Sequence, residues 1–255
     1  SVNQLDKWAE QIPDYALELA RAFWPGPMTL ILKRTDIAKN FITGGQDTVG
    51  LRVPSDPMAL ALIQEFEKIS NSAIVAPSAN RFGQVSPTSG SDVFEELGQF
   101  LSDEDLILDG GNSIIGIEST IIDCTGDQPT ILRNGAVTKA DVEIQLGIKE
   151  LESKKNPNIK FSGSFEKHYA PKCKVMIDSQ EIAGAGFLAL SDVETPSGMV
   201  RLASPKTTED FARILYSTFR AADKSGLVSL VVLEPKGEGL SVAIRERLEK
   251  AAHGG

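Results

Sequence analysis

Three short polar strings, each abutting an apolar run of strand length, carry the chemistry this chain has to offer: Ala76-Pro-Ser-Ala-Asn80, Gly116-Ile-Glu-Ser-Thr-Ile-Ile-Asp123 and Ile131-Leu-Arg-Asn-Gly135. They present hydroxyls, a carboxamide, glycine backbone and a guanidinium. None holds the His, Cys or paired carboxylates on which most hydrolytic catalysis depends. Such a palette suits a site that binds phosphate and polar substrate groups through O–H, N–H and a planar cation.

Spacing narrows what each string can do. Over Thr48–Val53 the two-residue period of a strand puts Val49, Leu51 and Val53 on one face and Thr48, Gly50 and Arg52 on the other. A Thr and an Arg flanking a Gly leave room for a ligand against the backbone; the plainer alternative is an exposed sheet face with a salt-bridged Arg. Ala73–Ala76 reads as a short buried strand. Ligands of open α/β sheets gather at the carboxyl ends of strands, which is where Ser78 and Asn80 would then lie. Read bare, the same residues form a turn whose Ser and Asn bond their own backbone. On 117–123 Ser119 and Ile121 share one face and Thr120 and Ile122 the other, a pairing that β-favouring composition alone explains. Arg133 precedes the turn dipeptide Asn134-Gly135 and by itself reads as a surface charge.

The elements that must position these residues follow from apolar periodicity. Helical spacing over 4–23 is interrupted at Pro13, and Pro25 and Pro27 end it. Strands are expected at Met28–Lys33, Thr48–Val53, 73–76, 105–108, 117–123 and 129–133, with helices over 57–69, 90–101 and 138–146. From Gly147 to Phe161 the apolar period disappears among Lys, Glu, Asn and Ser, which reads as a linker. Beyond about Lys174 come strands at 187–190, 199–203 and 227–233 and helices at 208–223 and 240–252, enough for a second, small α/β unit.

Composition sets outer limits. A chain of 255 residues, 41% hydrophobic and 24% charged, is ordinary for a globular protein of one or two domains. Its apolar runs are too short to span a bilayer, so no membrane partner is expected. The net charge of −9, with no Lys/Arg run longer than two, argues against a nucleic-acid groove. Two cysteines and two histidines make zinc catalysis or a disulfide scaffold poor readings and fit a reducing cytoplasm.

The strings, in this order, resemble the YrdC-like threonylcarbamoyl-AMP synthase family. The resemblance extends to Phe23-Trp-Pro-Gly-Pro-Met-Thr-Leu-Ile-Leu32, Asp47-Thr-Val-Gly-Leu-Arg-Val-Pro54, Ser162-Gly-Ser-Phe-Glu-Lys-His-Tyr-Ala-Pro171 and Gly239-Leu-Ser-Val-Ala-Ile-Arg-Glu-Arg-Leu248, and so covers nearly the whole chain. It implies an α/β fold: a YrdC-like twisted mixed sheet with flanking helices over 1–147, a linker or lid over 148–173, and a small Rossmann-like α/β domain over 174–255. It further implies a nucleotidyltransferase that makes threonylcarbamoyl-AMP and pyrophosphate from L-threonine, bicarbonate and ATP, with Mg²⁺ accompanying the ATP. A separate tRNA threonylcarbamoyl transferase complex would use the product. By the resemblance, Ser78 and Asn80 are catalytic and hold the ATP phosphates. Thr48, Ser86, Arg133 and Tyr169 contact the nucleotide, and Arg52, the Ala76 backbone and Ser119 contact threonine; no protein ligand to a metal is expected.

The family pairs its Ser-x-Asn with a Lys-x-Arg, and no Lys-x-Arg occurs here. Together with the initial Ser1, this leads to the expectation that a strand–helix segment bearing it precedes the sequence and that the chain as given turns over little. Two other classes stay open: an RNA-binding module, and a catalytically inactive nucleotide-binding regulator. In the linker, Phe165 and Tyr169 are expected either to pack on the nearest domain or to close over the nucleotide as a lid.

Overall fold

Pro13 fixes its own φ at −66° and restarts the chain as a helix, its carbonyl accepting from Ala16 and Leu17. The interrupted helix of the sequence is therefore α1 (Leu5–Trp8), a two-residue strand β1 (Ala9–Glu10) and α2 (Asp14–Phe23). The computed structural model describes residues 2–153, 159–163, 168–180 and 182–253. They fall into two units, Ser1–Pro77 with Glu118–Ser162, and Ser78–Ile117 with Gly163–Gly255.

The first unit is built on a six-stranded mixed sheet. Its central strand β2 (Met28–Arg34) pairs antiparallel with β3 (Thr48–Leu51) and parallel with β4 (Thr120–Asp123). Strand β4 pairs antiparallel with β5 (Thr130–Arg133), and β5 pairs parallel with β6 (Glu152–Ser153). One face is a core: Leu30, Leu32, Val49, Ile122 and Ile131 pack with Ala16, Leu19 and Ala20 of α2 and with Val142 of α6 (Lys139–Leu146). On the other face Ile31, Ile121 and Leu132 are covered by Ile159 and Phe161. The same unit holds the short α3 (Asn40–Thr43) and α4 (Pro57–Ser70), whose N-terminus is capped by Asp56 accepting from the Ala59 N–H at 2.8 Å. Helix α4 buries no residue, and Met58, Leu62, Phe66 and Ile69 are exposed.

The second unit centres on a four-stranded parallel sheet in the order β7 (Lys174–Ile177), β10 (Ser229–Val232), β8 (Gly186–Leu188) and β9 (Val200–Ala203). Its strands read as continuous apolar runs because both faces are covered. Phe211, Leu215, Phe219 and Ala222 of α7 (Thr208–Lys224) and Ala243, Ile244 and Leu248 of α8 (Leu240–Ala252) form the main core with Leu188, Leu230 and Val232. Helix α5 (Gly90–Leu97) also belongs to this unit. Both cysteines are free and buried, Cys124 in the first unit and Cys173 in the second.

Two expected strands are absent. Residues 73–76 and 105–108 have strand composition but form no ladder, and Ile74, Val75, Leu106 and Leu108 are exposed. A strand exists only through its neighbour's hydrogen bonds, and neither stretch finds one. The linker is less featureless than its composition: β6 extends the sheet and Ile159 is buried. Phe165 lies outside the described residues. Among the described residues no helix is long and apolar enough to cross a membrane.

Gly116 opens one of the three polar strings with φ at +84°, and a Cβ there would lie 2.3 Å from the Arg213 Cα. Gly226 has φ at +66° with nothing within 4 Å. Gly116→Ala is therefore expected to cost about 3 kcal/mol or more and Gly226→Ala only about 1 kcal/mol. Urea unfolding of the two variants measures the difference.

Candidate functional site

Strand register brings the polar positions of the first unit onto the sheet face opposite its main core. Thr29 lies beside Gly50, where a Cβ would sit 3.5 Å from the Thr29 methyl and 3.2 Å from Ile31. Across the parallel pairing, the hydroxyls of Thr29 and Ser119 share a hydrogen bond of 2.7 Å. Arg133 reaches the same point from β5. Its Nε donates to the Ser119 carbonyl at 2.9 Å, its Nη2 to the Ser119 hydroxyl at 3.1 Å and its Nη1 to the Ser162 carbonyl at 2.7 Å. Arg133 is thus a buried cation, 5% exposed, and the surface charge that its position alone predicts is corrected. A turn with no Cβ lets this happen: at Gly135 a Cβ would come within 2.4 Å of the Thr120 nitrogen.

Arg52 follows β3 and is exposed, but its Nε donates to the Gly26 carbonyl at 3.1 Å. Gly26 is itself tied to the stretch after β3, its N–H donating to Val53 O at 2.8 Å. The Trp24-Pro25-Gly26-Pro27 turn therefore anchors Arg52 as well as packing. Crowding by protein atoms, and then the nearby charge of Arg133, hold the Arg52 pKa below the usual arginine value. Among the described residues neither guanidinium makes an ion pair with a carboxylate. Two like charges without a paired carboxylate favour an arriving anion. Arg52 also borders a cavity of about 100 Å³ lined by Trp8, Trp24, Leu51, Ile63, Glu67 and Ile74, room for a small, partly apolar molecule. Thr48 is half-buried on β3, and Ala76 is exposed in an irregular stretch.

The second unit holds the other predicted residues. Ser78 is exposed. Asn80 donates Nδ2 to its own loop, at 2.8 Å to Arg81 O and 3.2 Å to Gln84 O, and its buried Oδ1 has no partner among the described residues. Ser86 is buried in the same loop. Tyr169, 1% exposed, stacks on Tyr216 with centroids 5.6 Å apart, and Arg247 lies 5.9 Å from its ring. This is the packing that one of the two readings of the linker expects, an aromatic ring gaining more from a core than from water. Sequence reasoning missed Thr29, which the period-2 alternation of Met28–Lys33 places on the site face. It also missed Arg220 and Glu96, whose pairing across 124 positions no local pattern announces.

This fold and these residues define an α/β chain of the Sua5/YciO/YrdC class with an appended α/β unit. Residues 1–135 match the Sua5/YciO/YrdC family, described as "Telomere recombination", and residues 136–253 match "Threonylcarbamoyl-AMP synthase, C-terminal domain". The threonylcarbamoyl-AMP synthase of Pyrococcus abyssi is 32% identical, with 99% of this chain and 78% of that protein covered. That of Bacillus subtilis is also 32% identical, with 99% and 77% covered. The crystal structure of Pyrococcus abyssi Sua5 complexed with L-threonine superposes with a TM-score of 0.81 at 31% identity, covering 100% of this chain and 78% of that one. The chain belongs to the threonylcarbamoyl-AMP synthase family.

The two arginines should separate by stability. Arg133→Ala strips donors from buried carbonyls and is expected to cost about 2–3 kcal/mol. Arg52→Ala removes an exposed side chain with one main-chain bond and should stay within about 0.5 kcal/mol. Equilibrium unfolding in urea compares them.

Proposed function

We propose that this chain condenses L-threonine, bicarbonate and ATP into threonylcarbamoyl-AMP, releasing pyrophosphate and water, for a tRNA threonylcarbamoyl transferase complex to use. The observation that carries the reading is Arg52, held at Nε with its terminal nitrogens unbonded among the described residues, beside a small half-apolar cavity. A fixed guanidinium suits a carboxylate, and apolar walls suit a methyl group such as threonine's.

In this reading the threonine nitrogen takes up bicarbonate carbon with loss of water, and a carboxylate oxygen of the N-carboxy product displaces pyrophosphate at the α-phosphorus of ATP. The N-carboxy group is labile, so positioning and exclusion of water count for more than a strong base. Arg52 and the Ala76 backbone hold threonine. Ser119, its hydroxyl fixed by Thr29 and Arg133, orients it. Thr48 and Ser86 contact the nucleotide, and Ser78, whose hydroxyl is exposed, meets phosphate. Asn80 shapes that loop through its Nδ2 bonds and offers Oδ1 to a donor. Arg133 adds positive potential towards ATP. Mg²⁺ enters with the ATP phosphates as part of the substrate. Residues 1–147 act as the catalytic domain, 148–173 as linker and 174–255 as the C-terminal domain, working in the cytoplasm.

Calorimetric titration tests the assignment. Arg52→Ala is expected to weaken L-threonine by about 2–3 kcal/mol, roughly 30- to 150-fold, with Mg·ATP affinity nearly intact. Equal losses for both ligands would remove the separate threonine subsite.

A further inference from the structure

Helix α7 belongs to the stretch matched by the C-terminal family, yet one of its side chains reaches the loop that carries Asn80 and Ser86. Arg220, with 12% of its side chain exposed, donates Nη2 to the Val85 carbonyl. Its Nη1 lies 3.7 Å from Glu96 Oε2 and its Nε 3.9 Å from Asp92 Oδ1. Glu96 in turn accepts from Arg81 Nε at 2.9 Å and from the Arg81 N–H at 3.4 Å. Asp92 accepts from the Thr88 N–H at 3.0 Å and the Thr88 hydroxyl at 3.1 Å. One guanidinium and two carboxylates thus meet the loop backbone at residues 81, 85 and 88, immediately after Asn80 and on both sides of Ser86.

Burial alone would raise the pKa of Glu96. The bonds from Arg81 and the charges of Arg81 and Arg220 outweigh it and hold the carboxyl below its ordinary value, so Glu96 is anionic at neutral pH. An ionic network of this kind stabilises less than well-packed apolar side chains of the same volume, but it fixes direction as well as contact. The main-chain bonds of the loop include Gln84 N to Arg81 O, Ala170 N to Gly83 O and Ser113 N to Thr88 O. The ionic network adds a directed attachment from α7 to them.

We propose that Arg220, acting through Glu96 and Asp92, is a positioning residue for the Asn80–Thr88 loop, so that the C-terminal α/β unit sets the geometry of nucleotide binding. The inference rests on the reading that Ser78, Asn80 and Ser86 serve ATP.

The test is titration of Mg·ATP and of L-threonine into the chain and its variants. Arg220→Ala is expected to weaken Mg·ATP about tenfold while L-threonine stays within about twofold. The vacated side chain opens onto a cavity of about 240 Å³ that Arg81, Gln84, Glu96 and Arg220 line. Low-millimolar guanidinium chloride, against equal sodium chloride, should therefore restore Mg·ATP affinity to Arg220→Ala and not to Asn80→Ala. A merely structural arginine would lower both affinities together and show no such rescue, which overturns the proposal. If Arg220→Ala does not fold, Glu96→Gln keeps the shape and removes the charge; a several-fold loss for Mg·ATP alone supports the proposal, and no loss overturns it. Should Ser78→Ala and Asn80→Ala bind Mg·ATP like the parent chain, the phosphate-loop reading fails and takes this inference with it. Should Asn80→Ala weaken Mg·ATP and Arg220→Ala not, the positioning role alone falls.

Discussion

A buried guanidinium that pairs with no carboxylate among the described residues is the constraint around which the first unit is arranged. Removing such a cation from water costs several kcal/mol unless its donors are met. Arg133 meets the demand with two main-chain carbonyls and one hydroxyl, from Ser119 and Ser162. That solution ties three parts of the chain to one point: β5, the approach to β4, and the segment that leaves the sheet after Phe161. It also leaves the positive charge uncancelled, and Arg52 feels it. A carboxylate partner would have been cheaper for folding and would have closed the face to anions.

The alternation of side chains along strands was readable wherever a strand had neighbours. Val49 is buried and Gly50 exposed, and Thr120 and Ile122 face away from Ser119 and Ile121, as period two requires. The same logic failed at 73–76 and 105–108, because composition describes a segment's preference and a ladder needs a second segment. Arg133 looked like a surface charge because nothing local distinguishes a strand-end Arg that turns outward from one that folds back onto a carbonyl fourteen positions away. Tyr169 was ambiguous for a related reason: its partner Tyr216 lies 47 residues on, in a helix whose apolar stripe was legible but whose docking was not. The two units are each discontinuous in sequence, a property that no shift in composition marks.

Helix α7 illustrates how one element carries two kinds of information. Its apolar stripe of Phe211, Leu215, Phe219 and Ala222 builds the core of the second unit, and this stripe was plain from spacing alone. Arg220 sits one position from that stripe and spends its charge on Val85, Glu96 and Asp92. Neighbouring Asp223 accepts the N–H groups of Lys172 and Cys173 at 2.9 Å each, fixing the chain where the parallel sheet begins. A single helix thereby supports both the sheet that follows the linker and the loop that precedes α5.

The burial of both sulfurs has a practical side. Burial, and then the charge of Asp223, push the Cys173 thiol up to about 12, while burial and then Asp123 push that of Cys124 up as well. Alkylating reagents attack thiolates, and at neutral pH neither residue supplies one to solvent. The native molecule is consequently blank to maleimide dyes. Ser197→Cys, at an exposed turn, would give a chain that takes up one fluorophore at one address without first deleting either natural cysteine.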